Sequence, residues 1–76
     1  MEQKLRNIMA EVFDVPVDEI KEDLSAHTLA NWDSLKHINL ILALQKEFGV
    51  RFEDEEIPTM ISYAMILNTL RAYLEV

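Results

Sequence analysis

Residues 33–50 read DSLKHINLILALQKEFGV, and this stretch decides the fold. Asp33 is a good N-cap residue, because its carboxylate can accept from the backbone N–H groups that a helix start leaves without partners. Gly49 suits the left-handed position just past a helix end. The interval between them predicts a helix over 34–48. Stepping around it at about 100° per residue separates two apolar stripes. Leu40, Ile41, Leu44 and Phe48 gather on one face, with His37 at the same azimuth. Leu35, Ile38 and Leu42 gather on another, about 140° away by the same geometry. Lys36, Asn39, Ala43, Lys46 and Glu47 fill the remaining arc. A helix in a small bundle needs one stripe for its core. The second stripe is either exposed for a partner or belongs to a central helix buried nearly all round.

Outward from this segment the pattern stays helical. Upstream, Leu5, Ile8, Met9, Val12 and Phe13 recur at the spacing of one buried face, predicting a helix over 3–13 that Pro16 ends. A long connection over 15–33 follows, with Val17, Ile20, Leu24 and Leu29 available to pin it, and a helical turn around 17–21 would shorten it. Downstream, Asp54–Met60 opens with acids that suit a helix start, though Pro58 should keep that helix short. Ser62 is an N-cap candidate for a last helix over 63–74, with Tyr63, Ile66, Leu67, Leu70, Tyr73 and Leu74 turned inward. Met60 and Met65 read as core fillers. The expected fold is all-α, a four-helix bundle with a long loop between helices 1 and 2 and a short third helix.

Composition bounds the function. The 76 residues suffice for one hydrophobic core, so a single domain over 1–76 is expected. Half are hydrophobic, too many for a disordered chain. Net charge is −7, which repels a phosphate backbone and an anionic membrane surface and favours cationic patches on other proteins. No cysteine is present, so thiolate catalysis and Cys-based zinc sites are excluded. No apolar run approaches the ~18 residues of a membrane span, and MEQKLRNIMAE lacks a signal-peptide core. The expectation is a cytoplasmic, monomeric protein with no nucleic-acid partner and no membrane insertion.

Ser34 stands one residue beyond the N-cap, where the helix dipole and free N–H groups favour a negative charge, a phosphodiester included. A simpler reading makes it part of the helix cap. Asp33, Ser34 and His37 also raise a serine hydrolase, but the chain has no Gly-x-Ser-x-Gly elbow and little room for an oxyanion hole. His37 reads as a partly buried polar residue and His27 as a loop histidine. Glu53–Glu56 lacks the alternating ligands and central glycine of a calcium loop, and reads as a solvated acidic helix start.

From Asp33-Ser34-Leu35 through Gly49-Val50, the chain resembles the acyl carrier protein family, whose hallmark is Asp-Ser-Leu at the start of its second helix. Length, acidity, the long first loop and the helix order agree as well. The resemblance implies a carrier without catalysis of its own. A phosphopantetheinyl transferase would move phosphopantetheine from coenzyme A onto Ser34, and acyl groups would ride on its thiol as thioesters. It also implies that Asp33 helps hold the transferase's magnesium and that the second helix is the docking face, with Leu35, Lys36, Ile38, Asn39, Leu42 and Lys46 on it. Leu40, Leu44, Tyr63 and Ile66 would line a space able to shelter an aliphatic chain. Further implied partners are an acyl- or aminoacyl-loading ligase and downstream synthase or transferase enzymes.

The departures from the family pattern are specific. Lys36, Asn39 and Lys46 stand where carriers of fatty-acid synthesis usually have acids, Trp32 replaces a small residue, and Asn31 the usual glycine. Charge complementarity chiefly sets partner choice and encounter rate, so a specialised pathway is expected over housekeeping fatty-acid synthesis. The rivals are an aminoacyl or peptidyl carrier and, from another class, an unmodified helical adaptor.

Overall fold

A computed structural model describes residues 1–75. Three α-helices carry the fold: α1 (Glu2–Phe13), α2 (Ser34–Phe48) and α3 (Tyr63–Leu74). Single 3-10 turns at Val17–Glu19 and Ile57–Thr59 interrupt the two connections. The first of these is the turn expected near 17–21. The short third helix expected over 54–60 is corrected to the 3-10 turn alone. Pro58 falls inside it and supplies no N–H. Glu56 also closes a local turn, accepting from the Glu53 N–H through its carboxylate at 2.9 Å. The expected four-helix bundle is thus corrected: among the described residues there are three α-helices and two 3-10 turns.

One core joins the elements. Leu5, Met9 and Phe13 of α1 meet Leu40, Ile41 and Leu44 of α2 and Tyr63, Ile66 and Leu70 of α3. Phe52 and Met60 of the second connection complete it. Met65 departs from the expectation. It is exposed, because α3 needs only the stripe through Tyr63, Ile66 and Leu70 for its buried face.

Helix ends follow local chemistry. The Asp33 carboxylate accepts from the Lys36 N–H at 2.8 Å, and Gly49 takes φ 65° at the far end of α2. Ser62 caps α3 in the same way, accepting from the Met65 N–H at 3.1 Å. Helix α1 ends two residues earlier than Pro16 alone would require. Asp14 adopts the left-handed conformation at φ 56° and returns its N–H to α1 carbonyls.

The long first connection is tied down rather than loose. Ile20 and Leu24 are buried and Leu29 half-buried, whereas Val17 is exposed. Ser25 and Ser62 form an isolated antiparallel bridge. Beside it the Ala26 N–H donates to the Ile61 carbonyl at 2.8 Å and the Tyr63 N–H to the Leu24 carbonyl at 2.9 Å. The Asn31 amide donates to the Phe13 carbonyl at 3.1 Å, anchoring the loop to the end of α1.

The second connection is anchored to α3. Tyr73 donates to the Glu56 carboxylate, and its ring meets Phe52 edge-on at 5.3 Å. The Tyr73 hydrogen bond holds the Glu56 carboxyl below its ordinary range, and the same bond pushes the Tyr73 phenol up.

Candidate functional site at the start of helix α2

The chain has three serines, and the fold separates them. Ser25 and Ser62 are half-buried, bridge to each other, and have hydroxyls that accept the His27 and Met65 N–H groups. Ser34 is exposed at the first turn of α2. Its neighbour Asp33 takes the Lys36 N–H, so the helix geometry leaves the Ser34 and Leu35 N–H groups without intrahelical acceptors. A 15-residue helix also places the positive end of its dipole there. An accessible hydroxyl at that point fits a phosphodiester.

His37 does not serve Ser34 as a base. The Trp32 indole N–H donates to His37 Nδ1 at 3.0 Å, and His37 Nε2 lies 2.8 Å from the Ile57 carbonyl. A carbonyl only accepts, so Nε2 carries the proton and the imidazole is neutral in this arrangement. Both ring nitrogens are taken, and the hydrolase constellation does not form. His37 is half-buried, as its position in the pattern suggests, and His27 lies exposed in the first loop.

The second apolar stripe of α2 is exposed. Leu35, Ile38 and Leu42 keep 69%, 48% and 58% of their surface in contact with solvent. That excludes the alternative of a helix buried nearly all round. Two open hollows flank the stripe. One, of about 410 Å³, is lined by Ser34, Asp33, His37 and Ile38 of the α2 end together with Ile57, Pro58 and Ile61. The other lies toward α1 and contains Asn39, Ala43 and Lys46 with Ile8 and Val12. The structure thus gathers Asp33, Ser34 and Ile38 around one hollow, while Asn39 and Lys46 border the other. Lys36, half-buried, contributes the N–H that Asp33 caps.

Sequence patterns missed the wall formed by Trp32, Ile57, Pro58 and Ile61. Trp32 and Asn31 stood out only as departures from a pattern. In the structure each ties the loop to a helix, Asn31 to α1 and Trp32 to α2. A tryptophan five residues before a histidine across a helix start is a signal for the second tie, though a faint one.

Comparison with known proteins identifies the family. Residues 3–70 match the family model described as "Phosphopantetheine attachment site". The chain belongs to that family. A curated relative, the acyl carrier protein of Clostridium acetobutylicum, is 32% identical over 73 residues, covering 96% of this chain and 95% of that protein. The chain is therefore an acyl-carrier-type domain and not an enzyme, and its family carries phosphopantetheine covalently. Among the described residues, no helix of this carrier is long and apolar enough to cross a membrane.

Proposed function

We propose that residues 1–76 form one carrier domain, phosphopantetheinylated on Ser34, that shuttles acyl thioesters between the enzymes of a specialised pathway. The observation that carries the proposal is the exposure of Ser34 at the α2 start, against the half-buried, engaged hydroxyls of Ser25 and Ser62. In the loading step Ser34 Oγ attacks the pantetheine-side phosphorus of coenzyme A. An O–P bond forms, the pyrophosphate P–O bond breaks, adenosine bisphosphate leaves, and the hydroxyl proton passes to solvent or to the transferase. When bound, the group supplies a thiol that the cysteine-free chain lacks. Asp33 caps the helix start and, as the residue next to Ser34, would offer its carboxylate to the transferase's magnesium.

Docking is assigned to the exposed side of α2. Leu35, Ile38 and Leu42 supply apolar contact, and Lys36, Asn39 and Lys46 set its charge. With two cations and an amide at these positions, the face complements a less cationic partner surface than an acidic face would. That feature supports a specialised set of ligases, synthases and transferases as partners, and the carrier is proposed to meet them as a cytoplasmic monomer.

Intact mass tests the central step. Incubation with coenzyme A and a broad-specificity phosphopantetheinyl transferase should add one phosphopantetheine. Ser34→Ala should abolish the gain, and Ser25→Ala and Ser62→Ala should keep it. A wild-type chain that retains its apo mass with several active transferases would remove the carrier assignment of Ser34. Kinetics with a panel of ketosynthases and adenylating ligases address the pathway, where efficient work with a housekeeping fatty-acid synthase would count against specialisation.

A further inference from the structure

The hollow beside Ser34 has a floor held by hydrogen bonds. Trp32 lines it and is only 8% exposed, while the Trp32 ring packs at 4.8 Å from Phe13, which is fully buried. Trp32 therefore stands between the hollow and the core. It is fixed there by its N–H bond to His37, and His37 in turn bonds to the Ile57 carbonyl on the opposite wall. The two rings lie nearly parallel, 27° apart. This chain of contacts joins the loop before Ser34, the first turns of α2 and the Ile57–Thr59 turn.

Beyond the floor, Leu40, Leu44, Tyr63 and Ile66, the residues expected to surround an internal space, are packed with at most 1% exposure. An aliphatic group entering from the Ser34 side would have to part Trp32 from His37 or His37 from Ile57. Either separation breaks a hydrogen bond of the half-buried His37, in a place where the walls of the hollow leave few replacement partners. The hollow itself offers apolar surface from Ile38, Ile57, Pro58 and Ile61 directly beside the attachment hydroxyl.

We propose that the Trp32–His37–Ile57 clasp is a depth stop, which lets cargo tethered at Ser34 rest in the open hollow and bars it from the bundle interior. This rests on the carrier reading of Ser34. The carrier consequently does not distinguish acyl groups by length through burial, and it presents a long chain to partner enzymes unshielded. Trp32 and His37 act as positioning residues for the cargo without touching the reacting atoms.

The test uses Ser34 loaded by transferase from acetyl-, octanoyl- and dodecanoyl-coenzyme A. Hydroxylamine cleaves the thioester, and a carbonyl drawn into the protein reacts slowly. For the wild type, each thioester should react at the rate of the corresponding free acyl-pantetheine, with no slowing as the chain lengthens. Trp32→Ala and His37→Ala open the floor and should slow the octanoyl reaction, about tenfold if the buried form reaches ten to one. Wild-type protection that grows from acetyl to dodecanoyl would overturn the depth stop, as would two folded variants that both leave octanoyl unprotected. If the variants do not fold, the wild-type length series decides alone. Failure of loading is a separate result: it removes the carrier reading of Ser34 before any thioester exists.

Discussion

Leu42 and Leu44 lie two residues apart on α2 and are chemically identical, yet the fold treats them oppositely. Leu44 has no exposure, and Leu42 keeps more than half of its surface in water. The same contrast runs along the helix, with Leu40 and Ile41 inside and Leu35 and Ile38 outside. Burying a leucine contributes roughly 1.5–3 kcal/mol, a gain the exposed stripe forgoes in the free protein. One stripe holds the molecule together and the other remains available for contact. The division gives a direct criterion: substitutions on the inner stripe should act on folding, and those on the outer stripe on encounters with other proteins.

The largest expected effect is on the inner stripe. Leu44→Ala should cost about 2–5 kcal/mol, because it removes apolar contacts and leaves a cavity that a packed core closes only in part. A chain of this size has only about 4–10 kcal/mol of stability, so the variant should unfold at a much lower urea concentration. Leu42→Ala should stay within about 0.5 kcal/mol of wild type. Trp32, the only tryptophan and a buried one, provides a fluorescence signal for both transitions. Equal destabilisation of the two variants would break the division.

The outer stripe should show its effect in loading kinetics. Leu42→Asp places a charge in an apolar docking surface while leaving the core intact. It should lower the transferase's kcat/KM for this carrier about tenfold, or about 1.4 kcal/mol, without moving the unfolding midpoint. Loading at the wild-type rate would detach the outer stripe from transferase recognition.

The two capping residues sharpen the contrast further. Asp33→Ala and Ser62→Ala each remove one side-chain acceptor at a helix start, and each should cost about 1 kcal/mol. Their stability effects should match. Only Asp33→Ala should also slow loading, because Ser62 caps α3 and engages the first loop. A loading defect of the same size in both variants would assign the effect to general loosening.

How much of this was legible in the sequence differs by region. The ends of α2 could be read to the residue, since an N-cap type, a steady apolar period and a terminal glycine all agreed. The short third helix could not. Acids at 53–56 suit a helix start, but no apolar period sustains one, and the Glu56 carboxylate closes a turn instead. Met65 failed for a related reason, since helical spacing shows that two residues share a face without saying which face meets the core. The outer stripe of α2 had two consistent readings until its burial was known. Ser34 was legible because its position at the helix start is local. The floor beside it joins residues from three segments, and only tertiary packing brings Ile57 to His37.

The smallest effect lies in the tie between Tyr73 and Glu56, which serves the folded core and has no part at the Ser34 end. The Glu56 carboxyl is held below its ordinary range by the Tyr73 hydrogen bond, and then by the Glu53 N–H. A lowered carboxyl stabilises the fold above its unfolded value, near pH 4.3, and the contribution is lost as pH falls through the folded value. The Tyr73 phenol is raised, first by its bond to Glu56 and then by desolvation. Its contribution is complete below about pH 10 and is lost as pH rises through the raised value. Tyr73→Phe should therefore lower the urea midpoint slightly at neutral pH. The gap from wild type should narrow in acid, where Glu56 takes up its own proton, and in strong base, where the wild-type phenol ionises. The Glu53 N–H still reaches Glu56 in the variant, so some acid sensitivity should persist. Loading of Ser34 at neutral pH should be unchanged. A loading defect in this variant would mean that the core half and the docking half of the molecule are coupled, contrary to the division drawn from the two faces of α2.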